Sequence, residues 1–278
     1  MIYNGNTTMY SRILANRMLM GLPYEPLPNT TLNEKFDIIP RYQEYVDIGY
    51  PKLNLLTIGG FEKQYSEIEH KIELSNGKHT PLHAALFNHI PFYLRRITET
   101  ENFPVPNKLR LKKYITINEI EYVAYYGYIL DEFDTDNDIM LFNNIDTDYV
   151  DVKKLDINSG NFLNPVFDIT SIREYENITF TTDFIKIPLF LSNLEVSEIA
   201  NAFRIINNLN SNDGFITEMG LAVSHEITLG DGSKECVRSQ MNYFVETDIS
   251  LPECLENEKL SLQIELGGME VVRTGLLN

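Results

Sequence analysis

The chain has 278 residues, 43% of them hydrophobic and 23% charged, which is globular composition with ample apolar surface for a core. Its 40 acidic against 23 basic side chains leave a net charge of -17, and a surface that negative repels nucleic-acid backbones and anionic lipid headgroups. The first residues lack a basic start followed by an apolar run, and no apolar stretch approaches the ~20 residues of a membrane helix, so neither export nor membrane insertion is expected.

Taken in chain order, residues 8–20 (TMYSRILANRMLM) predict a short amphipathic helix. Tyr10, Ile13, Leu14 and Met18 share a stripe, and Gly21 then Pro23 stop it. LPYEPLPNTT follows with prolines at 23, 26 and 28 and should be extended. Residues 1–50 therefore read as a helix and an arm, packed on their own domain or reaching a neighbouring subunit.

Residues 51–175 read as a β-rich domain. LNLLTIGG predicts a strand ending in paired glycines, and Ser75-Asn76-Gly77 a hairpin turn between QYSEIEHKIEL and KHTPLH. Thr80 and Pro81 resemble an N-cap and first helical position, which predicts a short helix, PLHAALFNH, ended by Pro91. KLRLKKYITINEIEYVAYYGYIL predicts two strands rich in Tyr, Ile and Val, turned at Asn118-Glu119.

Residues 176–278 read as an α+β domain. ITFTTDFIKIPLFL (178–191) predicts a long strand, and Ser192 with Glu195 has capping-box spacing. Val196, Ile199, Phe203 and Ile206 then recur at helical spacing, which predicts a helix over 193–207. GFITEMGLAVS (214–224) alternates as a half-buried strand, Gly230-Asp231-Gly232 turns a hairpin, and QMNYFVETDI and KLSLQIEL add strands. Strand, helix, then antiparallel strands make the expected class α+β and β-rich, mostly antiparallel sheets with a few short helices.

The chemical motifs fail one by one. Asp134, Asp136 and Asp138 occupy the first three ligand positions of a calcium loop, but Ile139 stands where glycine is required and Ile145 where the bidentate acid belongs. A solvated acidic loop, or a weak surface calcium site, remains. His79, His83 and His89 suggest a metal face, but Pro81 breaks the helical spacing of the first pair and no HExxH follows. GDGSK (230–234) lacks phosphate-loop spacing, and no G-x-S-x-G surrounds any serine. Cys236 and Cys254 lack a CxxC pattern and read as buried free thiols, with a single bridge as the alternative. No catalytic, cofactor-binding or metal residue is nominated.

Contacts are nominated instead. Gly220 lets another backbone or side chain approach its strand closely, and Glu218 accepts hydrogen bonds from a neighbouring loop or subunit, with Leu221 beside them. Tyr10, Ile13 and Leu14 are the contact candidates of the first helix. A small basic cluster joins Arg95 and Arg96 to Lys108, Arg110, Lys112 and Lys113. On alternating strand positions Lys108, Arg110 and Lys112 share one face, either an ordinary charged face or one that answers an acidic patch on another copy or another protein.

FITEMGLAVSHEITLGDGS resembles a strand-turn element of tailed-bacteriophage virion proteins, found in baseplate wedge subunits and tail-fibre attachment domains. The matching residues are Glu218, Met219, Gly220 and Leu221, with Gly230, Asp231 and Gly232 as the turn. Met219 stands in place of the more usual Ile or Val, and Ala222 where a large aromatic is common. The strand and helix of 178–207 are similar to the same family, as are FYLRRITETENF and the following basic and Tyr-rich strands. The resemblance implies a non-enzymatic virion subunit, assembled in the host cytoplasm with other virion proteins as a homo-oligomer or hetero-complex, without cofactor, nucleic acid or membrane. The alternatives are a cytosolic module with a ligand pocket between the C-terminal helix and the sheet, and a carbohydrate-hydrolysing tail protein using a carboxylate pair.

Overall fold

A computed structural model describes residues 2–38, 49–62, 64–66, 71–73, 79–99, 105–130, 138–146, 149–155, 178–208, 214–257 and 259–270. The chain enters through a strand that no alternation announces, β1 (Ile2–Thr7), and passes directly into α1 (Met9–Leu19). Thr8 makes that junction. Its hydroxyl accepts from the Ser11 N–H at 3.1 Å and donates to the Met241 carbonyl at 2.8 Å, so one buried side chain caps the helix and ties it to the sheet. After an irregular proline-bearing stretch comes α2 (Leu32–Phe36), held by a capping box of Thr31 and Glu34. Asn33 anchors this short helix: its amide donates to the Cys236 carbonyl at 2.7 Å and accepts from the Ser239 N–H at 2.9 Å.

The middle of the chain supplies β2 (Lys52–Glu62), β3 (Gln64–Ser66), β4 (Lys71–Glu73), β5 (His89–Ile90), β6 (Tyr93–Arg96), β7 (Leu109–Ile117), β8 (Ile120–Ile129), β9 (Asp138–Asp146) and β10 (Tyr149–Leu155). Within QYSEIEHKIEL, β3 pairs antiparallel with β4, and the expected turn at Ser75-Asn76-Gly77 lies outside the described residues. One expectation is corrected here. Residues 81–88 form no helix; they are a looped segment whose amides bond elsewhere, for reasons given below. The β7–β8 hairpin agrees with its sequence. Asn118 and Glu119 have φ of +48° and +65°, the paired left-handed conformation that matches the twist of a two-residue hairpin.

The last third is β11 (Ile178–Ser192), α3 (Asn193–Ile206), β12 (Gly214–Thr228), β13 (Lys234–Ser250), α4 (Leu251–Glu256) and β14 (Lys259–Glu270). The capping box at Ser192 and Glu195 starts α3, and Val196, Ile199 and Phe203 bury its inner face. The fold is α+β and β-rich, with mostly antiparallel pairing and short helices. Among the described residues twelve strands join in the order β10-β9-β11-β14-β1-β13-β12-β2-β8-β6, with β5 on β2 and β7 on β8. β1 is the splice. Ile2–Asn4 run parallel to β14, and Gly5–Thr7 run antiparallel to β13. Residues 2–7, at the start of the segment read as helix and arm, are thus an interior strand.

β12 pairs with β2 on one side and β13 on the other, so the sheet crosses the boundary expected near residue 175. One hydrophobic cluster does the same, running from Leu32 and Leu55 through Ile199 and Phe203 to Ile264 and Leu266. β12 also departs from the half-buried expectation, because residues 214–225 are buried on both faces. Register shifts between Ile216 and Glu218 against both neighbours place a bulge at Thr217.

Candidate functional site

Glu218 follows that bulge directly, and the bulge re-aims its carboxylate toward the looped segment 79–88. Its side chain is 3% exposed and that of His79 2%. Oε2 lies 2.5 Å from His79 Nε2 and accepts the Phe87 N–H at 3.1 Å, while Oε1 accepts the Asn88 N–H at 2.9 Å. This explains why 81–88 is not a helix: two of its amides have a buried carboxylate as acceptor, and Leu86 N–H donates to His89 Nε2 at 3.1 Å. The Asn88 amide then reaches the Gly60 carbonyl at 2.5 Å, and Gly60 N–H reaches the Asn88 carbonyl at 3.1 Å.

The paired glycines that end LNLLTIGG are required by this packing. A Cβ on Gly59 would overlap Glu218 Oε1 and stand 2.7 Å from the Asn88 carbonyl oxygen. On Gly60 it would overlap the Phe215 carbonyl oxygen. The His79 ring is stacked on Phe244 at 4.0 Å and 8°, and lies 4.5 Å from Phe87. Its Nδ1 is buried without a hydrogen-bond partner. The assembly is a carboxylate that fastens a loop to a sheet, with an imidazole as third donor.

A second buried acid works the same way. Glu235 on β13 accepts the N–H groups of Leu111 at 2.6 Å, Lys112 at 3.1 Å and Cys236 at 2.8 Å. Burial raises its pKa, and the three backbone donors oppose that rise. Leu111 adopts φ +57° where it meets this carboxylate, which breaks the alternation of β7. Lys108, Arg110 and Lys112 consequently do not share a face. Lys112 is exposed with its ammonium 5.2 Å from the Tyr114 ring centre, and Lys108 lies 5.5 Å from that of Tyr128. Arg110 is buried: Nε donates to Glu226 at 3.0 Å and Nη1 to the Asn107 and Leu109 carbonyls at 2.5 and 2.7 Å.

The other nominated contacts also meet their own chain. A Cβ on Gly220 would overlap Met241 and stand 2.8 Å from Thr57 Oγ1, and Leu221 is fully buried. Leu14 packs with Tyr24 and Val223, Ile13 is half-buried, and Tyr10 donates to the Leu82 carbonyl at 3.1 Å. Among the described residues no three His, Cys, Asp or Glu side chains converge as a metal set. Asp134 and Asp136 lie outside those residues. Both cysteines are free and buried, and burial pushes the Cys236 thiol up to about 12.

Two histidines give the fold a pH dependence. Burial, then the charges of Lys35 and His79, holds His89 well below its ordinary value; burial also lowers His225, whose Nε2 lies 2.8 Å from the Gly49 carbonyl. Unfolded, each takes up a proton near pH 6.5; folded, each stays neutral there. Their contribution to stability is complete above about pH 6.5 and is lost as the pH falls, at about 1.4 kcal/mol per pH unit for His89 and less for His225. Glu235, with its raised value, works in the opposite direction just above its unfolded range. The urea midpoint is expected to drop between pH 7.5 and 5.5, and a flat midpoint would contradict the assignment.

Sequence reasoning missed a groove between α3 and β6. An apolar depression of about 120 Å³ is lined by Phe92, Tyr93, Leu109, Tyr128 and Leu194 among others, with Glu195 and Glu198 at its edge. A polar depression of about 290 Å³ follows along the same helix, lined by Arg95, Arg96, Glu99, Asn201 and Arg204 among others. Arg95 and Glu198 pair through two hydrogen bonds between them. The signal available in the sequence was the Arg95-Arg96 pair beside the Tyr-rich strands; what it faces was set by the tertiary fold.

No curated protein and no solved structure matches this chain. The model of a family of unknown function, DUF7208, matches residues 4–275, and the chain belongs to that family.

Proposed function

We propose that the chain is a structural subunit of a tailed-phage particle, a tail or baseplate component that works by binding other virion subunits, as a homo-oligomer or in a hetero-complex. It would be assembled in the host cytoplasm and use no cofactor, nucleic acid or membrane. The observation that carries this reading is the apolar patch where α1 ends. Met18, Leu19, Met20 and Leu22 are exposed, Leu19 at 87% and Met20 at 72%. Tyr50 joins them, donating to the Leu22 carbonyl at 2.6 Å. A contiguous apolar patch of this kind is what a subunit contact covers. The Glu218–Leu221 strand that resembles virion proteins agrees with it. So does the use of Glu218 and Glu235 as fixed acceptors, which suits a scaffold more than proton transfer.

A ligand-binding module is the second reading, favoured by the depression between α3 and the sheet. Sites for drug-sized ligands run to roughly 300–1,000 Å³, so about 120 Å³ suits one ring or side chain better. The carboxylate-pair hydrolase fares worse at that place. Glu195 accepts from Ser192 and Tyr128, and Glu198 is paired with Arg95.

The gene neighbourhood tests the class: flanking tail, baseplate or portal genes are expected, and a metabolic operon would overturn the proposal. Sedimentation tests the patch. A Leu19→Glu/Met20→Glu variant should associate at least about tenfold more weakly with itself or with neighbouring gene products. Equal association would remove the patch from the interface.

A further inference from the structure

Residues 2–24 are held to the body mostly by hydrogen bonds. From Asn6 to Tyr24 only Thr8, Leu14 and Tyr24 are buried. Leu14 and Tyr24 pack with Val223 in a cluster of their own, apart from the main core, whose first member is Leu32. The rest of the seam is polar among the described residues. Met9 N–H donates to the Pro81 carbonyl at 2.7 Å, and the Asn242 amide to Ser11 Oγ at 3.2 Å. The Tyr24 hydroxyl donates toward the Arg238 carbonyl and Gln240 Oε1, both at 3.2 Å. Asn242 Oδ1 is buried there without a hydrogen-bond partner. Such a seam resembles an interface between units more than a core, because water can take over each bond when the two sides part.

The unit ends in a hinge. Glu25, Leu27, Pro28 and Asn29 are exposed, and Asn29 has φ +59°. Beyond them α2 is fixed, with Leu32 and Phe36 in the main core and Asn33 bonded twice to β13. The slot that β1 fills is specific. Its occupant lies parallel to β14 for three residues and antiparallel to β13 for three more, and Thr8 then caps a helix against Met241. Every copy of the chain carries one such segment. We propose that two copies exchange residues 2–24, each seating its β1 between β13 and β14 of the other. Exchange restores the hydrogen bonds and apolar contacts of the closed chain, so it costs little beyond association itself. The contact depends on neither the virion assignment nor the α1 patch.

The single variants Thr7→Cys and Tyr243→Cys test it. These half-buried residues are directly opposite in the β1–β13 ladder, beside the 2.8 Å bond from Thr8 N–H to the Asn242 carbonyl. A disulfide spans a pair so placed. The two variants are incubated together at high concentration, in salt that screens the repulsion between copies of net charge -17. A mild oxidant should then link one variant to the other as a covalent dimer. Neither variant alone should give one, since Cys236 and Cys254 are buried. The double variant, when dilute, should link within one chain. Leu14→Ala thins the small cluster and should speed formation of the mixed dimer about fivefold or more. Circular dichroism checks that the variants remain folded. The proposal is overturned if the mixture gives no more linked dimer than either variant alone, or if the double variant never links within a chain. An unchanged rate in Leu14→Ala would overturn it equally. A negative result leaves the α1 patch and the virion assignment to their own tests.

Discussion

Glu218→Ala should cost about 2–4 kcal/mol, because it leaves the partly buried N–H groups of Phe87 and Asn88 and the His79 ring nitrogen without their acceptor. Each abandoned donor carries a penalty of about 1–3 kcal/mol, and partial entry of water keeps the total below the simple sum. Glu218→Gln should be milder, about 1–3 kcal/mol, since one carbonyl oxygen remains while an NH₂ group now meets an N–H. Urea denaturation measures the loss, and hydrogen exchange locates it. The amides of Phe87 and Asn88 should lose protection well before the β12–β13 ladder does. A glutamine variant with wild-type stability, unchanged protection at those amides and normal assembly would remove the fastening role.

Gly60→Ala is expected to be at least as damaging, about 3 kcal/mol or more. The added methyl overlaps the Phe215 carbonyl oxygen and stands 2.9 Å from Ile90 Cδ1. A flexible side chain can swing aside, but this oxygen belongs to a strand paired on both edges, so β2 and β12 must part. Gly230→Ala is the matched control. Nothing lies within 4 Å of its added methyl, and the residue sits in an exposed turn. Equal denaturation midpoints for the two variants would show that the glycine pair is not packed as described.

What the sequence disclosed followed from how local each interaction is. The Asn118-Glu119 turn, the capping box at Ser192 and the apolar stripe of α3 depend on neighbours within four residues, and all three were legible. α2 was legible too: Thr31 and Glu34 have the spacing that was recognised at Ser192 and Glu195, but the nearby prolines drew the reading to an extended arm. β1 was not, since IYNGNT has no alternation and becomes a strand only because β13 and β14 flank it. The false helix at 81–89 had credible caps. It lost to an acceptor on β12 that no local window contains. For Glu218 the sequence suggested an acceptor role and a close-approach glycine, but not that the donors would come from a histidine weighed as a metal ligand. Arg110 was misplaced for a subtler reason. The left-handed backbone at Leu111, where Glu235 binds, interrupts the period of two on which the reading relied.

The position of β1 also bears on when the chain can finish folding. Residues 2–7 are synthesised long before their partners, Tyr243–Val245 and Gln263–Glu265. All of the intervening chain must be made before that strand finds both neighbours, so completion of the sheet is a late event governed by contacts of very long sequence separation. Until then β1, β13 and β14 each present unpaired backbone. A nascent chain stalled before residue 263 should therefore be open to proteolysis and prone to pair with other chains, whereas one extended past β14 and clear of the ribosome should protect all three strands together.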